Sequence, residues 1–211
     1  MRYGEEASTT VLQVESLQAY FHQGLTAALA TQDVALQDHT AHYVVNLLAS
    51  FARSEALYDA ADEGPRLRPL ALRLRDALEA ETAEARHAAL QRLGDVSLFI
   101  AGFFADSLAS RTVDLDYYIY MGGNAYGSLS DTVEGSPRGR AFAPVFRELA
   151  SKFQAMVDVL HELRDEARGH PDHDVLRLYE VWLRTGSRRA ARLLRGLGVA
   201  PVRQGTLRYA H

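Results

Sequence analysis

Cysteine is absent from this sequence of 211 residues, and lysine occurs once, at Lys152, beside 22 arginines. A chain without cysteine cannot form thiolate zinc sites, iron–sulfur clusters or a thiol nucleophile. Lys152 lies between Ser151 and Phe153, so the Gly-Lys-Ser/Thr core of a P-loop is missing. GxSxG and HExxH motifs are missing as well. These absences exclude cysteine chemistry and P-loop nucleotide hydrolysis and leave the chain without the common enzyme signatures, although activity through another chemistry stays open.

Long hydrophobic runs are absent too. The longest run covers residues 96–105 with one serine in it, which is about half of the ~20 residues that a membrane-spanning helix needs. Residues 1–10 are polar and lack the apolar core of a signal peptide. We therefore expect a cytoplasmic protein without a membrane span.

Apolar residues recur at spacings of three and four, and no stretch alternates as a strand would. This pattern predicts an all-α fold, a multi-helix bundle of about six main helices in residues 1–170 with a basic helical extension in residues 171–211 packed on it. Gly94 is predicted to end a helix as its C-cap, and Asp95 to cap the next helix. The predicted helices cover residues 15–30, 36–58, 70–93, 96–109, 114–129, 142–166, 172–184 and 187–197.

Three glycines, Gly122, Gly123 and Gly127, lie inside the helix predicted over residues 114–129. Together they cost about 3 kcal/mol relative to alanine, so some contact has to offset this cost. Gly122 falls on the apolar stripe of the helix with Tyr126, where another helix backbone or a flat ligand could approach closely.

A second stripe of the same helix carries hydroxyl groups and an amide on an aromatic wall, at Tyr117, Tyr120, Asn124 and Ser128. Such a surface fits a ligand pocket, a subunit interface rich in tyrosine, or core packing in which the phenols reach loop carbonyls. The candidate ligand-binding residues are therefore Tyr117, Tyr120, Gly122, Gly123, Asn124 and Tyr126.

Eight histidines make a metal site a further hypothesis. His39 and His42 lie three residues apart on a predicted helix and could share an ion with Asp106 and His161, but their positions on the helical wheel favour a solvated polar face. Glu84 and His87 reproduce the Glu-x-x-His spacing of carboxylate-bridged di-metal bundles, of which a second copy is missing. The sequence therefore assigns no cofactor.

Residues 181–211 contain seven arginines and no Asp or Glu. This block carries +7 and the 180 residues before it −11, which gives the overall net charge of −4. Arg188, Arg192 and Arg195 lie on the outward face of a short predicted helix that Ser187 can cap. They are candidate partner-binding residues for an acidic protein, nucleic acid or an anionic lipid surface, or they contact the acidic body of the chain itself. No base-reading helix pair accompanies them, so the sequence does not favour nucleic acid.

Two stretches, residues 93–104 and 116–126, resemble an uncharacterised group of bacterial all-helical proteins. The likeness extends more weakly to residues 42–51 and 182–198. It implies no known activity, cofactor or partner. The excess of arginine and alanine over lysine is also typical of GC-rich bacterial coding sequences.

Three functional hypotheses follow from these patterns. The first is a non-enzymatic binding or interaction module that uses the Tyr/Asn/Gly-rich helix face for a small molecule or a protein, including a second copy in a homodimer. The second is a metal-dependent helical-bundle enzyme with His and Asp ligands. The third is an adaptor that binds an acidic partner or nucleic acid through its C-terminal arginines.

Overall fold

Nine α-helices and one short 3₁₀ helix make up the described part of the chain in a computed structural model, which covers residues 17–52, 68–104, 114–135, 137–168 and 175–199. No strand occurs in these ranges, which confirms the predicted all-α multi-helix bundle with short C-terminal helices. The helices are α1 (Leu17–Gln32), α2 (Asp38–Phe51), α3 (Leu70–Glu79), α4 (Ala83–Phe103), α5 (Leu115–Thr132), α6 (Pro137–Ser151), α7 (Phe153–Arg168), α8 (Val175–Thr185) and α9 (Arg188–Gly196), with the 3₁₀ helix Val133–Gly135 before α6.

Helix α4 occupies the centre of the bundle and packs against α3, α5 and α7. Residues 96–101 of α4 are all buried, as expected for a helix that is apolar on nearly every face. Around this centre, α5 packs against α6, α1 packs against α2 and α7, and α8 pairs with α9. Among the described helices, none combines the length and the hydropathy needed to cross a bilayer.

The predicted helix break at Gly94 and Asp95 is wrong, because α4 runs through both residues. The chain breaks earlier, where the Thr82 hydroxyl caps α4 by accepting a hydrogen bond from the backbone N–H of Ala85 at 3.1 Å. Gly94 lies in mid-helix because the ring of Tyr126 crosses there: a Cβ on Gly94 would lie 2.6 Å from Cε1 of that ring. A glycine inside a helix therefore serves a close approach and not a cap.

The single helix predicted over residues 142–166 is divided into α6 and α7 by a turn at Lys152. The Ser151 hydroxyl donates to the carbonyl oxygen of Glu148 at 3.0 Å, and this kind of back-bonding bends helices. Apolar residues recur at spacings of four and three from residue 142 to residue 163, which predicts a continuous apolar seam along the helix. This seam is buried across the turn, except that Phe142 is 41% exposed. Its buried members are Phe146, Leu149, Phe153, Met156, Leu160 and Leu163.

Candidate functional site

The three glycines of α5 have two different environments. A Cβ on Gly122 would lie 2.2 Å from Cζ of Phe153 and 2.7 Å from Cβ of Ser97, so α5 meets both α7 and α4 at this point. On Gly123 and Gly127, a Cβ would find its nearest atoms at 3.7 and 3.9 Å, which is ordinary van der Waals contact. Packing within the chain therefore explains the first glycine and leaves the other two unexplained.

The polar stripe of α5 lies on the surface. Tyr120 is 70% exposed, which is the largest exposure among the described large hydrophobic side chains, and Asn124 and Ser128 are exposed beside it. Tyr117 is half-buried and packs against the core. The stripe predicted from the helical period is therefore a continuous outer face of α5.

Gly122 and Tyr126 do not belong to this face, although both were expected among the ligand-binding residues. Gly122 is buried beneath Phe153, and Tyr126 is completely buried. Their side of α5 points into the bundle, because the apolar stripe and the polar stripe occupy opposite sides of the helix. Tyr117, Tyr120, Gly123 and Asn124 remain as candidates at the surface.

An open groove runs between α5 and α6, with a volume of about 730 Å³. Gly123, Gly127, Tyr120 and Asn124 line it on the α5 side, and Ala150 lines it on the α6 side. A second depression of about 580 Å³ shares Tyr120 with the first and continues toward α8. The two together form one surface, which we call the α5 groove.

Charged side chains mark both ends of the α5 groove. Asp131 and Arg147 line the end near α6, and Asp116 and Arg184 line the end near α8. The Arg184 guanidinium forms an ion pair with Asp114 and lies 4.0 Å from the carboxylate of Asp116. Each end is thus lined by one arginine and one aspartate, and Arg184 already forms an ion pair within the chain.

A buried polar network joins α2, α4 and α5 behind the groove. The hydroxyls of Tyr43 and Tyr126 donate to the same carboxylate oxygen of Asp95, at 2.6 and 2.7 Å. The side-chain amide of Gln91 donates to the Tyr43 hydroxyl at 3.0 Å. Sequence analysis missed this network, since its two tyrosines lie 52 and 31 positions from Asp95 and no local pattern links them.

Burial controls the protonation of this network. Removal of the Asp95 carboxyl from water raises its pKa to about 6, although the hydrogen bonds from both tyrosines oppose that change. Burial also raises the pKa of Tyr126, and the neighbouring carboxylate adds to this effect, so the phenol stays protonated as a donor. Gln91 lies at the edge of a separate cavity. The hydroxyl protons of both tyrosines are donated to Asp95 and are therefore not available to a molecule in that cavity. We therefore interpret the network as part of the core.

The histidines considered for a metal site do not converge. His39 and His42 are exposed on α2, and Asp106 lies outside the described residues. His161 is buried in α7 and bonds through Nε2 to the carbonyl oxygen of Ala101 at 2.8 Å, and burial lowers its pKa to about 3. Within the described ranges, no group of three or more His, Asp or Glu side chains is placed to hold an ion.

The arginines of α9 divide into bound and exposed side chains. Arg189 is buried and forms ion pairs with Glu162, at 3.3 Å, and with Asp165 of α7. Arg192 donates to the carbonyl oxygen of Thr31 at 2.9 Å and also reaches Glu162 at 3.3 Å. Arg188 and Arg195, the other two candidate partner-binding residues, are exposed.

A buried carboxylate fixes the start of α9. Asp158 accepts hydrogen bonds from the Ser187 hydroxyl at 2.8 Å and from the backbone N–H of Arg189 at 3.3 Å. Ser187 in turn accepts from the N–H of Ala190 at 3.0 Å, which confirms its predicted role as the N-cap. The arginine helix is thus docked on the acidic face of α7, and Arg203 and Arg208 lie outside the described residues.

Comparisons of this chain with models of protein families, with curated proteins and with solved structures find no match. The resemblance of residues 93–104 and 116–126 to uncharacterised bacterial proteins stays a prediction.

Proposed function

We propose that this protein is a non-enzymatic interaction module that binds a helical segment of a protein in the α5 groove. The observation that carries the proposal is the pair Gly123 and Gly127, two glycines in mid-helix that leave room for a methyl group. Each costs about 1 kcal/mol relative to alanine, and no contact within the described chain requires it. Their absent side chains keep the centre of the groove open beside Tyr120.

The shape of the groove favours a polypeptide over a small molecule. Small-molecule pockets enclose most of their ligand's surface, whereas this groove is open along one side. Its length from Asp116 to Asp131 corresponds to about 22 Å of helix. A helix of about four turns, with its backbone against the glycines, fits that length and follows the helix-in-groove mode of recognition.

The exposed tyrosine supports the same assignment. Tyrosine is enriched at protein interfaces, because its ring provides a large contact area and its hydroxyl tolerates both water and a hydrogen-bond partner. Tyr120 projects beside the groove with 70% of its surface exposed, and Asn124 adds an amide one helical turn away.

Site-specific photocrosslinking tests the proposal. We would replace Tyr120 by benzoylphenylalanine in the full chain, irradiate cells that produce it, and separate the adducts by mass. We expect one dominant protein adduct. As a matched control, the same replacement at Leu78 of α3, which is 66% exposed outside the groove, is expected to give none.

A groove-filling variant shows whether the adduct depends on the glycines. In a chain that carries the crosslinker at position 120, Gly123→Leu should reduce the adduct at least about tenfold, since a side chain then fills the place of the bound helix. Circular dichroism and a melting curve would verify that this variant folds. Equal adducts at positions 78 and 120, or no adduct at position 120, would refute the proposal.

A further inference from the structure

We infer that the helix bound in the α5 groove is α5 of a second copy of this chain, so that the protein is an antiparallel homodimer. This inference rests on the proposed function. It follows from the self-complementary arrangement of the groove, in both shape and charge.

Two antiparallel α5 helices can be aligned so that the exposed side chains of one helix lie opposite the glycines of the other. A two-fold axis between Gly123 and Asn124 brings Tyr120 of one copy opposite Gly127 of the other, and Asn124 opposite Gly123. The exposed aromatic ring thereby meets the helix position that has no side chain and has room around it. Both pairs occur twice, as an isologous interface requires.

The same alignment brings together the charged residues at the two ends of the groove. In this register Asp116 of one copy comes opposite Asp131 of the other, and two like charges alone would repel. Each is accompanied by an arginine, because Arg147 lines the groove with Asp131 and Arg184 lines it with Asp116. Arg147 therefore faces Asp116 across the axis, and Arg184 faces Asp131, on both sides of the dimer.

The balance of charge also selects among occupants. A strongly acidic helix would bring like charges to the aspartate at each end of the groove, and a strongly basic helix would do the same to the arginine. A helix that carries both signs at both ends avoids this repulsion. The outer surface of α5 with its neighbouring arginines carries both signs at both ends.

Native mass spectrometry and light scattering of the full chain over a range of concentrations measure the dimer directly. We expect a dimer in the wild type. Tyr120→Glu should raise its dissociation constant by about a hundredfold, because an interface anchor is replaced by a charge at the centre of the contact. A dimer that Tyr120→Glu leaves unchanged would place the interface elsewhere and overturn the inference.

A charge exchange tests the register. Arg147→Glu alone should raise the dissociation constant about tenfold or more, since it places a carboxylate opposite Asp116 of the other copy and beside Asp131 of its own. Addition of Asp116→Arg should restore most of the affinity, because the pair is rebuilt with its signs reversed. Asp38→Arg is the matched control, an exposed first-turn aspartate of α2, and should leave the dimer unchanged. A double variant no tighter than Arg147→Glu would overturn the antiparallel register.

The crosslinking experiment separates failure of the inference from failure of the proposed function. An adduct from position 120 with twice the mass of one chain supports the second copy. A single adduct of another mass, with a wild type that stays monomeric, would overturn the homodimer and leave the interaction module standing. If position 120 gives no adduct and the chain is monomeric, both are refuted.

Discussion

Two adjacent glycines of α5 provide the sharpest test at the scale of single residues. Gly122→Ala should lower the free energy of unfolding by about 1–2 kcal/mol, because its methyl would overlap the Phe153 ring by more than the gain in helix propensity offsets. Gly123→Ala should raise the free energy of unfolding by about 0.5–1 kcal/mol, since its methyl has room. Urea denaturation of both variants in a Tyr120→Glu background, at a concentration at which the chain is monomeric, measures the two effects without a contribution from dimer dissociation.

The opposite signs are what matter in this comparison. If both variants were destabilised alike, Gly123 would be held by a contact within the chain, and the argument that it serves the groove would fail. If Gly122→Ala were neutral, the ring of Phe153 would have moved aside. The substitutions differ by one position and introduce the same methyl group, so each serves as the other's control.

The buried carboxyl of Asp95 makes a second prediction at this scale, about pH. Its pKa is about 6 in the fold and 3.8 when unperturbed, so the folded chain binds this proton more tightly than the unfolded chain. The resulting stability is fully present below about pH 3.8 and is lost as the pH rises through 6. Between these values the free energy of unfolding should fall by about 3 kcal/mol relative to Asp95→Asn.

Urea denaturation at a series of pH values from about 4 to 7 measures this difference. Other carboxyl groups and His161 titrate in both proteins, and subtraction of the Asp95→Asn curve removes their common contribution. Parallel curves for Asp95→Asn and the wild type would show that Asp95 ionises normally, which its burial argues against.

At the scale of elements, the attachment of α9 depends on one arginine more than on its neighbours. Arg189→Met should loosen α9 from α7, because it leaves the partly buried carboxylates of Glu162 and Asp165 without this guanidinium. Arg195→Met changes an exposed side chain and should have little effect. Hydrogen exchange of the α9 amides should accelerate at least about tenfold in the first variant only.

The opposite result would show that contacts other than the ion pairs of Arg189 hold α9 on the bundle. If exchange in α9 were unchanged in Arg189→Met, the buried alanines and Leu194 together with the bonds of Asp158 would suffice to hold the helix.

The helical elements show that features determined by nearby residues could be predicted from the sequence, whereas features determined by distant helices could not. The apolar periodicity predicted the helical class, and Ser187 as the cap of α9 is confirmed, because the serine and its partner Ala190 are three residues apart. Gly94 and Asp95 were misplaced as caps, since their actual partners come from distant helices. The turn at Lys152 was missed, because a continuous apolar seam does not distinguish one helix from two that meet.

The candidate site follows the same division between local and distant contacts. Tyr120, Gly123 and Asn124 share a face of α5 through the helical period alone, and the structure places them together on the groove. Arg147 and Asp131 could not be assigned to that groove from sequence, because their proximity depends on how α6 packs against α5. Tyr126 has the same residue type as Tyr120 but lies in the core, and only its position on the apolar stripe distinguishes it.

At the scale of the whole molecule, the asymmetry of charge between the acidic body and the arginine-rich end is satisfied in part within the chain. Arg189 and Arg192 bind acidic or carbonyl groups of α7 and α1, and Arg184 pairs with Asp114. Arg188 and Arg195 remain exposed. A helix docked in this way presents less positive charge than its composition suggests, which weakens the case for nucleic acid as the partner.

This internal pairing predicts the behaviour of the chain on heparin. With a net charge of −4, the wild type should pass through the column at about 0.15 M salt, and Arg188→Glu with Arg195→Glu should elute at the same position. Glu162→Gln should shift elution later, because this carboxylate pairs with both Arg189 and Arg192. If the wild type were retained on heparin and the double Glu variant were not, Arg188 and Arg195 of α9 would bind an external polyanion. The adaptor hypothesis would then be favoured over binding in the α5 groove.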